Sequence, residues 1–127
     1  MLIFVPVGKK KINLDRIFCV YKGAVTSKVI CLWRGEPRIF TLDKEHKKTF
    51  DRFWVDLHGV DYRQRYFVAG LGLYIRLPFV DGVEVFEKEI DGRVVSHVKV
   101  VSRCRSIILR DADAVDFVKF LNRRKII

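Results

Sequence analysis

Side-chain amides are almost missing from this 127-residue chain: Asn13, Gln64 and Asn122 are the only three. Amides are thermolabile, and their scarcity beside abundant Val and Ile fits a heat-loving source. Cysteine is scarce too. Cys19, Cys31 and Cys104 are odd in number and lack CxxC spacing, so neither a disulfide framework nor a zinc site is expected. Buried thiols in a reduced, cytoplasmic compartment are the reading that remains. No uncharged apolar run reaches about 18 residues, so no transmembrane helix and no membrane partner are expected. The first residues, MLIFVPVGKKK, set an apolar stretch before positive charges, the reverse of a secretory signal, and read as a strand followed by a basic turn.

Negative charge is the other deficit. Asp and Glu number 15 against 25 Lys and Arg, a net charge of +10. An excess of that sign points toward a polyanion. Half of the residues are hydrophobic and 31% are charged, an ordinary globular balance that argues against disorder. The length suits a single domain over residues 1–127.

Residues 12–21 form a second strand whose apolar parity switches near Asp15–Arg16, which predicts a bulge or bend. Residues 28–33 (KVICLW) are apolar on both parities, as in a central strand covered on both faces. Arg34-Gly35-Glu36-Pro37 reads as a turn and residues 38–42 as the returning strand. The period then changes. Phe50, Phe53, Trp54 and Leu57 make one stripe of a helix over residues 43–58, with Asp43 as its N-cap and Gly59 after its end. Residues 60–70 have no clean period and read as a connection with a short helical turn. Residues 71–80 read as a strand with Pro78 at an edge or bulge. Asp81-Gly82 and Asp91-Gly92 are hairpin signals around strands 83–90 and 93–101. Residues 105–109 form a last strand. A helix over about 111–122, capped by Asp111 or Asp113, carries the stripe Ala114, Phe117, Val118 and Leu121.

The two strand-to-helix joints align at an offset of 67 residues: Arg38 with Arg105, Leu42 with Leu109, Phe50 with Phe117 and Phe53 with Phe120. Duplication and convergence both account for this. The expected fold is α+β, an antiparallel sheet with two amphipathic helices. If duplicated, it is two strand-strand-strand-helix repeats, residues 1–59 and 71–127, joined by 60–70.

Catalytic patterns are weak. His46, His58 and His97 have no partners at metal-ligand spacing, no Ser or Cys sits in a nucleophile-elbow pattern, and Gly70 and Gly72 fit no nucleotide-binding motif. Glu84, Glu87, Glu89 and Asp91 cluster on one strand and its turn, where a solvated face explains them better than acid–base chemistry. The chain reads as a non-enzymatic binder without cofactor or metal. Lys9, Lys10 and Lys11 share a turn where they reach phosphates. Arg34 and Arg38 flank Trp33. Tyr62, Arg63, Arg65 and Tyr66 interleave rings with charges. Bases stack on aromatic faces while cations track the backbone, so this mixture suits a single strand of DNA or RNA. Phe40, Phe50, Phe53 and Trp54 belong to the core.

The second half, VEVFEKEIDGRVVSHVKVV followed by RSIILRDADAVDFVKFL, resembles the repeats of Pur-alpha and Whirly proteins. A basic-aliphatic last strand leads there into a helix with Phe after an acidic residue, here Asp116-Phe117. That resemblance implies single-strand binding on a curved sheet. Residues 12–57 resemble the last strands and helix of bacterial pleckstrin-homology-like domains, which implies a structural or protein-interaction module instead. FVDG at Phe79–Gly82 resembles part of the LAGLIDADG endonuclease signature. That pattern sets Val83 where its metal-binding acid stands, which implies at most an inactive DNA binder. The final helix predicts one more partner: Val115 and Phe120 widen its apolar arc, and a second copy covering it makes a homodimer through helix 111–122.

Overall fold

The computed structural model describes residues 3–58, 66–69 and 72–123. Strands β1 (Phe4–Val7) and β2 (Lys10–Asn13) form a hairpin. A 3-10 turn, Leu14–Arg16, leads into the meander β3 (Ile17–Lys22), β4 (Ser27–Trp33) and β5 (Glu36–Leu42), then helix α1 (Lys44–His58). The order then recurs. The hairpin β6 (Tyr66–Ala69) and β7 (Leu73–Arg76) is followed by a 3-10 turn, Leu77–Phe79. The meander β8 (Val80–Ile90), β9 (Arg93–Ser102) and β10 (Ile107–Arg110) then enters helix α2 (Asp111–Arg123). Hairpin, 3-10 turn, three-strand meander and helix thus occur twice. The chain is α+β, and every described strand pair is antiparallel.

The units share one sheet. Its order is β5-β4-β3-β7-β6, so the second hairpin fills the outer edge of the first meander. Each face of this sheet has its own core. Val20, Val29, Cys31 and Leu42 pack against the β1–β2 hairpin and the Phe50 and Trp54 rings of α1. Phe18, Cys19, Ile30 and Ile75 pack against the sheet β10-β9-β8 and the Ala114, Phe117 and Leu121 stripe of α2. Phe50 and Phe117, matched across the proposed repeat, are both fully buried. Each contributes about 1.5–3 kcal/mol by leaving water. The two-faced apolar pattern of residues 28–33 is the sequence image of β4's place between these cores.

Helix α1 begins as expected. The Asp43 carboxylate accepts the His46 backbone N–H at 2.9 Å, and that bond, together with the adjoining His46 ring, holds the carboxyl below its ordinary range. Several expectations need correction. Residues 12–21 are not one strand: the parity switch is the 3-10 turn Leu14–Arg16, and the bulge falls between Ile17 and Cys19. Lys10 and Lys11 belong to β2, not to the turn, which holds Gly8 and Lys9. The Arg34–Pro37 turn shortens to Arg34-Gly35, and Pro37 sits in edge strand β5, where a missing N–H is tolerated. Residues 71–80 are not one strand, since Pro78 enters the second 3-10 turn, and β7 is internal to the sheet. Asp81-Gly82 is no hairpin turn. Its glycine lies in β8 at a register shift. Residues 66–69, read as connection, are strand β6. Gly59 and the helical turn expected after it lie outside the described residues.

Candidate functional site

Alternation along β4 and β5 puts Trp33 and Phe40 on the α1 side of the central sheet, where both pack at the margin of its core. Their rings meet edge to face, with centroids 6.2 Å apart. Lys10 of β2 sets its ammonium 5.1 Å from the Phe40 ring centre, and the Arg34 guanidinium lies 5.8 Å from that of Trp33. Lys10, Phe40, Trp33 and Arg34 therefore form a continuous chain of cations and rings across two hairpins. Beside it a cavity of about 390 Å³ opens between those hairpins, lined among others by Phe4, Lys11, Arg16, Trp33 and Arg34.

Arg34 is held there by its backbone. The β4–β5 hairpin closes in two residues, Arg34 at φ 54° and Gly35 at φ 79°, the primed geometry that matches strand twist. Gly or Asn favours such a position; arginine pays for its Cβ. Among the described non-glycine residues, the other positive φ values belong to Asp91 and Asp111. The first makes the expected Asp91-Gly92 turn, and the second turns β10 directly into α2.

Arg16 is placed by a residue from the other unit. Arg76, on β7 and 3% exposed, donates from its guanidinium to the Leu14 carbonyl and, at 2.9 Å, to the Ile17 carbonyl. A further nitrogen stands 3.6 Å from the Asp15 carboxylate. The 3-10 turn carrying Arg16 is thus fastened at both ends.

Of the expected binding residues, the structure brings Lys10, Lys11, Trp33 and Arg34 together. Lys9 is exposed in the adjoining turn. Arg38 is exposed on β5 but is paired at 2.8 Å with the Glu36 carboxylate. Tyr62, Arg63 and Arg65 lie outside the described residues, and of Tyr66 only its strand position, opposite Arg76, is described. Arg16 and Phe4 went unrecognised. Arg16 sits on the parity switch, and Phe4 has the parity opposite to buried Val5 and Val7, a pattern that marks an outward ring.

Elsewhere, a second groove runs along β10. A cavity of about 780 Å³ and one of about 450 Å³ share Tyr21, Lys28 and Ile108. No sequence motif marked it. The carboxylates of β8 and its turn are all exposed. His46 lies 3.1 Å from the Asp43 carboxylate, while His97 is buried, stacks on Phe86 at 5.1 Å and meets the Val95 carbonyl at 3.0 Å. No three His, Cys, Asp or Glu residues gather as metal ligands among the described residues. Burial pushes the Cys19 and Cys31 thiols up to about 12 and Cys104 to about 11, so they remain protonated and poorly nucleophilic. No described helix is long and apolar enough to cross a membrane. On α2, Val115 is 40% exposed, but Phe120 packs against the core of its own chain, which weakens the argument for a second copy on this helix. Comparison with protein-family models, with curated proteins and with solved structures gives no match.

Proposed function

We propose that this chain binds single-stranded nucleic acid, without catalysis, in the groove between the β1–β2 and β4–β5 hairpins. The observation that carries this reading is the convergence of Lys11, Arg16 and Arg34 around the half-buried ring of Trp33, with Arg34 kept there at a backbone cost. Three cations around a ring of this kind match the two halves of a nucleotide: phosphate for the cations and base for the ring. An exposed cation–π contact is worth about 0.5–1 kcal/mol. Stacking a base is worth about 1–3 kcal/mol. A base therefore displaces the Arg34 guanidinium from Trp33 and frees it for a phosphate.

Tryptophan fluorescence tests the reading. Trp54 is 2% exposed and stacks on Phe50 at 5.6 Å, so quenching by an oligonucleotide reports Trp33. Trp33→Ala costs about 1–3 kcal/mol of binding. The triple variant Lys11→Ala, Arg16→Ala, Arg34→Ala lowers the slope of log affinity against log salt by about 2. Preference for duplex, or an unchanged slope in the triple variant, refutes the assignment.

A further inference from the structure

The sheet β10-β9-β8 has a free edge on each side among the described residues, and the two edges carry opposite charge. Edge strand β8 bears Asp81, Glu84, Glu87 and Glu89 against one cation, Lys88, all exposed. Beyond the core it also exposes Val85 (61%), Phe86 (37%) and Ile90 (40%). The groove along β10 has the complementary character. Lys22, Lys28, Arg105 and Arg110 line it against one acid, Asp113. Exposed Tyr21, Ile39 and Ile108 supply its apolar surface.

We infer that β8 of one copy docks along β10 of the next, continuing the three-stranded sheet from copy to copy. Unpaired strand edges are templates for this kind of addition, and long apolar edges left open are a liability. The chain's internal repetition points the same way. In the element order β8 corresponds to β3, and the outer edge of β3 is occupied by an added strand, β7, through Cys19↔Ile75, Val20↔Tyr74 and Tyr21↔Leu73. Charge selects the arrangement. Pairing β8 with a second β8 brings acid-rich edges together, and pairing β10 with a second β10 brings cations together. Only the head-to-tail contact joins unlike edges, and such a contact grows open chains unless its rotation closes a ring. The site is separate from the Trp33 groove, on the other face of the central sheet, and the inference does not rest on nucleic-acid binding.

Ionic strength has two opposed effects. The net charge of +10 makes copies repel at long range. At about 0.15 M salt the Debye length is about 8 Å, so that repulsion is screened while close pairs in the groove persist. At about 1 M the length is about 3 Å and the pairs weaken too. Sedimentation velocity of the full chain from micromolar to millimolar concentration is the test. In the lower salt the weight-average mass at least doubles and keeps rising with concentration; in the higher salt it returns toward the monomer. The groove variant Lys28→Glu, Arg105→Glu and the strand variant Glu84→Lys, Glu87→Lys each stay monomeric alone, because each now has like-charged edges. Mixed in equal amounts they assemble again. A wild-type protein that stays monomeric, a dimer that grows no further and ignores these substitutions, or a mixture of folded variants that does not assemble overturns the inference. If either variant fails to melt cooperatively, a synthetic peptide of residues 82–91 replaces it: the peptide lowers the wild-type mass if β8 is the docking strand, and no effect overturns the assignment.

Discussion

The buried guanidinium of Arg76 donates to the Ile17 carbonyl at 2.9 Å, joining the second unit's hairpin to the first unit's meander. The same group holds the Leu14 carbonyl, so Arg76 ties both ends of the 3-10 turn that presents Arg16, beside the Asn13 side chain that caps the Asp15 N–H and the Ile3 carbonyl that accepts the Leu14 N–H. Replacing it with leucine leaves two carbonyls without their charged donor. Each hydrogen bond to a charged group contributes about 1.5–3 kcal/mol, so losing two costs about 3–6 kcal/mol, and the apolar burial of leucine offsets part of that loss. Urea denaturation measures the loss. Oligonucleotide affinity falls as well under conditions where the variant is fully folded, because the turn carrying Arg16 keeps only its Asn13 cap and backbone bonds. Unchanged affinity in folded Arg76→Leu separates the turn from binding.

Arg34 sets stability against binding at one position. Its φ of 54° suits asparagine, which tolerates the left-handed region in a two-residue hairpin. Arg34→Asn is expected to raise stability by about 1 kcal/mol through relief of backbone strain. The same change removes the cation above Trp33 and weakens oligonucleotide binding. Paired melting and titration experiments give opposite signs if the arginine is kept for its charge. A loss of stability would mean that its contact with Trp33 outweighs the strain.

Glu36 restrains Arg38. The two groups are 2.8 Å apart on β5 with both side chains more than half exposed, so their pairing stabilises the fold little. Arg38→Ala is therefore expected to reduce oligonucleotide affinity less than Arg34→Ala. Glu36→Gln releases the guanidinium and removes an acid beside the groove, and affinity rises with a steeper salt dependence. Filter-binding titrations over a salt series show whether the order is Glu36→Gln, wild type, Arg38→Ala, Arg34→Ala.

The parts of this molecule that are legible in its sequence are those set by neighbours in the chain. Phe50 and Trp54 repeat at helical spacing, Asp43 caps the same helix three residues from its bonding partner, and Asp91-Gly92 closes a hairpin by its own backbone. Val29, Ile30 and Cys31 announced a strand buried on both sides because each face of β4 meets a core. What stayed hidden depends on distant residues. Arg16 enters the groove through Arg76, which holds the Leu14 carbonyl from 62 residues away. Asp81-Gly82 has the composition of a turn but is absorbed into β8, since β9 pairs on both sides of the bulge and overrides the local preference. Three lysines after Gly8 read as a turn, but Lys10 and Lys11 lie in β2. Ile12 is 2% exposed and anchors them in β2. The groove along β10 joins residues near 21, 28, 39 and 108, which no local pattern connects.

The three thiols predict a loss of stability in alkali. Cys19 is raised by burial from 9.0 to about 12, and Cys31 and Cys104 move the same way. Below pH 9.0 the thiols are mostly protonated in both states, and their contribution to folding is fully present. Above it the unfolded chain releases protons that the folded chain retains, so the folded state binds more protons and stability falls as pH rises toward 12. The urea midpoint should therefore drop as pH rises above 9. Cys19→Ala lowers the midpoint at neutral pH because it empties a fully buried site, yet its decline in alkali is shallower because one retained proton is gone. Thiol labelling gives an independent reading. Buried, protonated sulfur reacts only when the fold opens, so Cys19 in native protein reacts with a thiol reagent far more slowly than in urea. Parallel alkaline slopes for wild type and Cys19→Ala would assign the loss to other titrating groups.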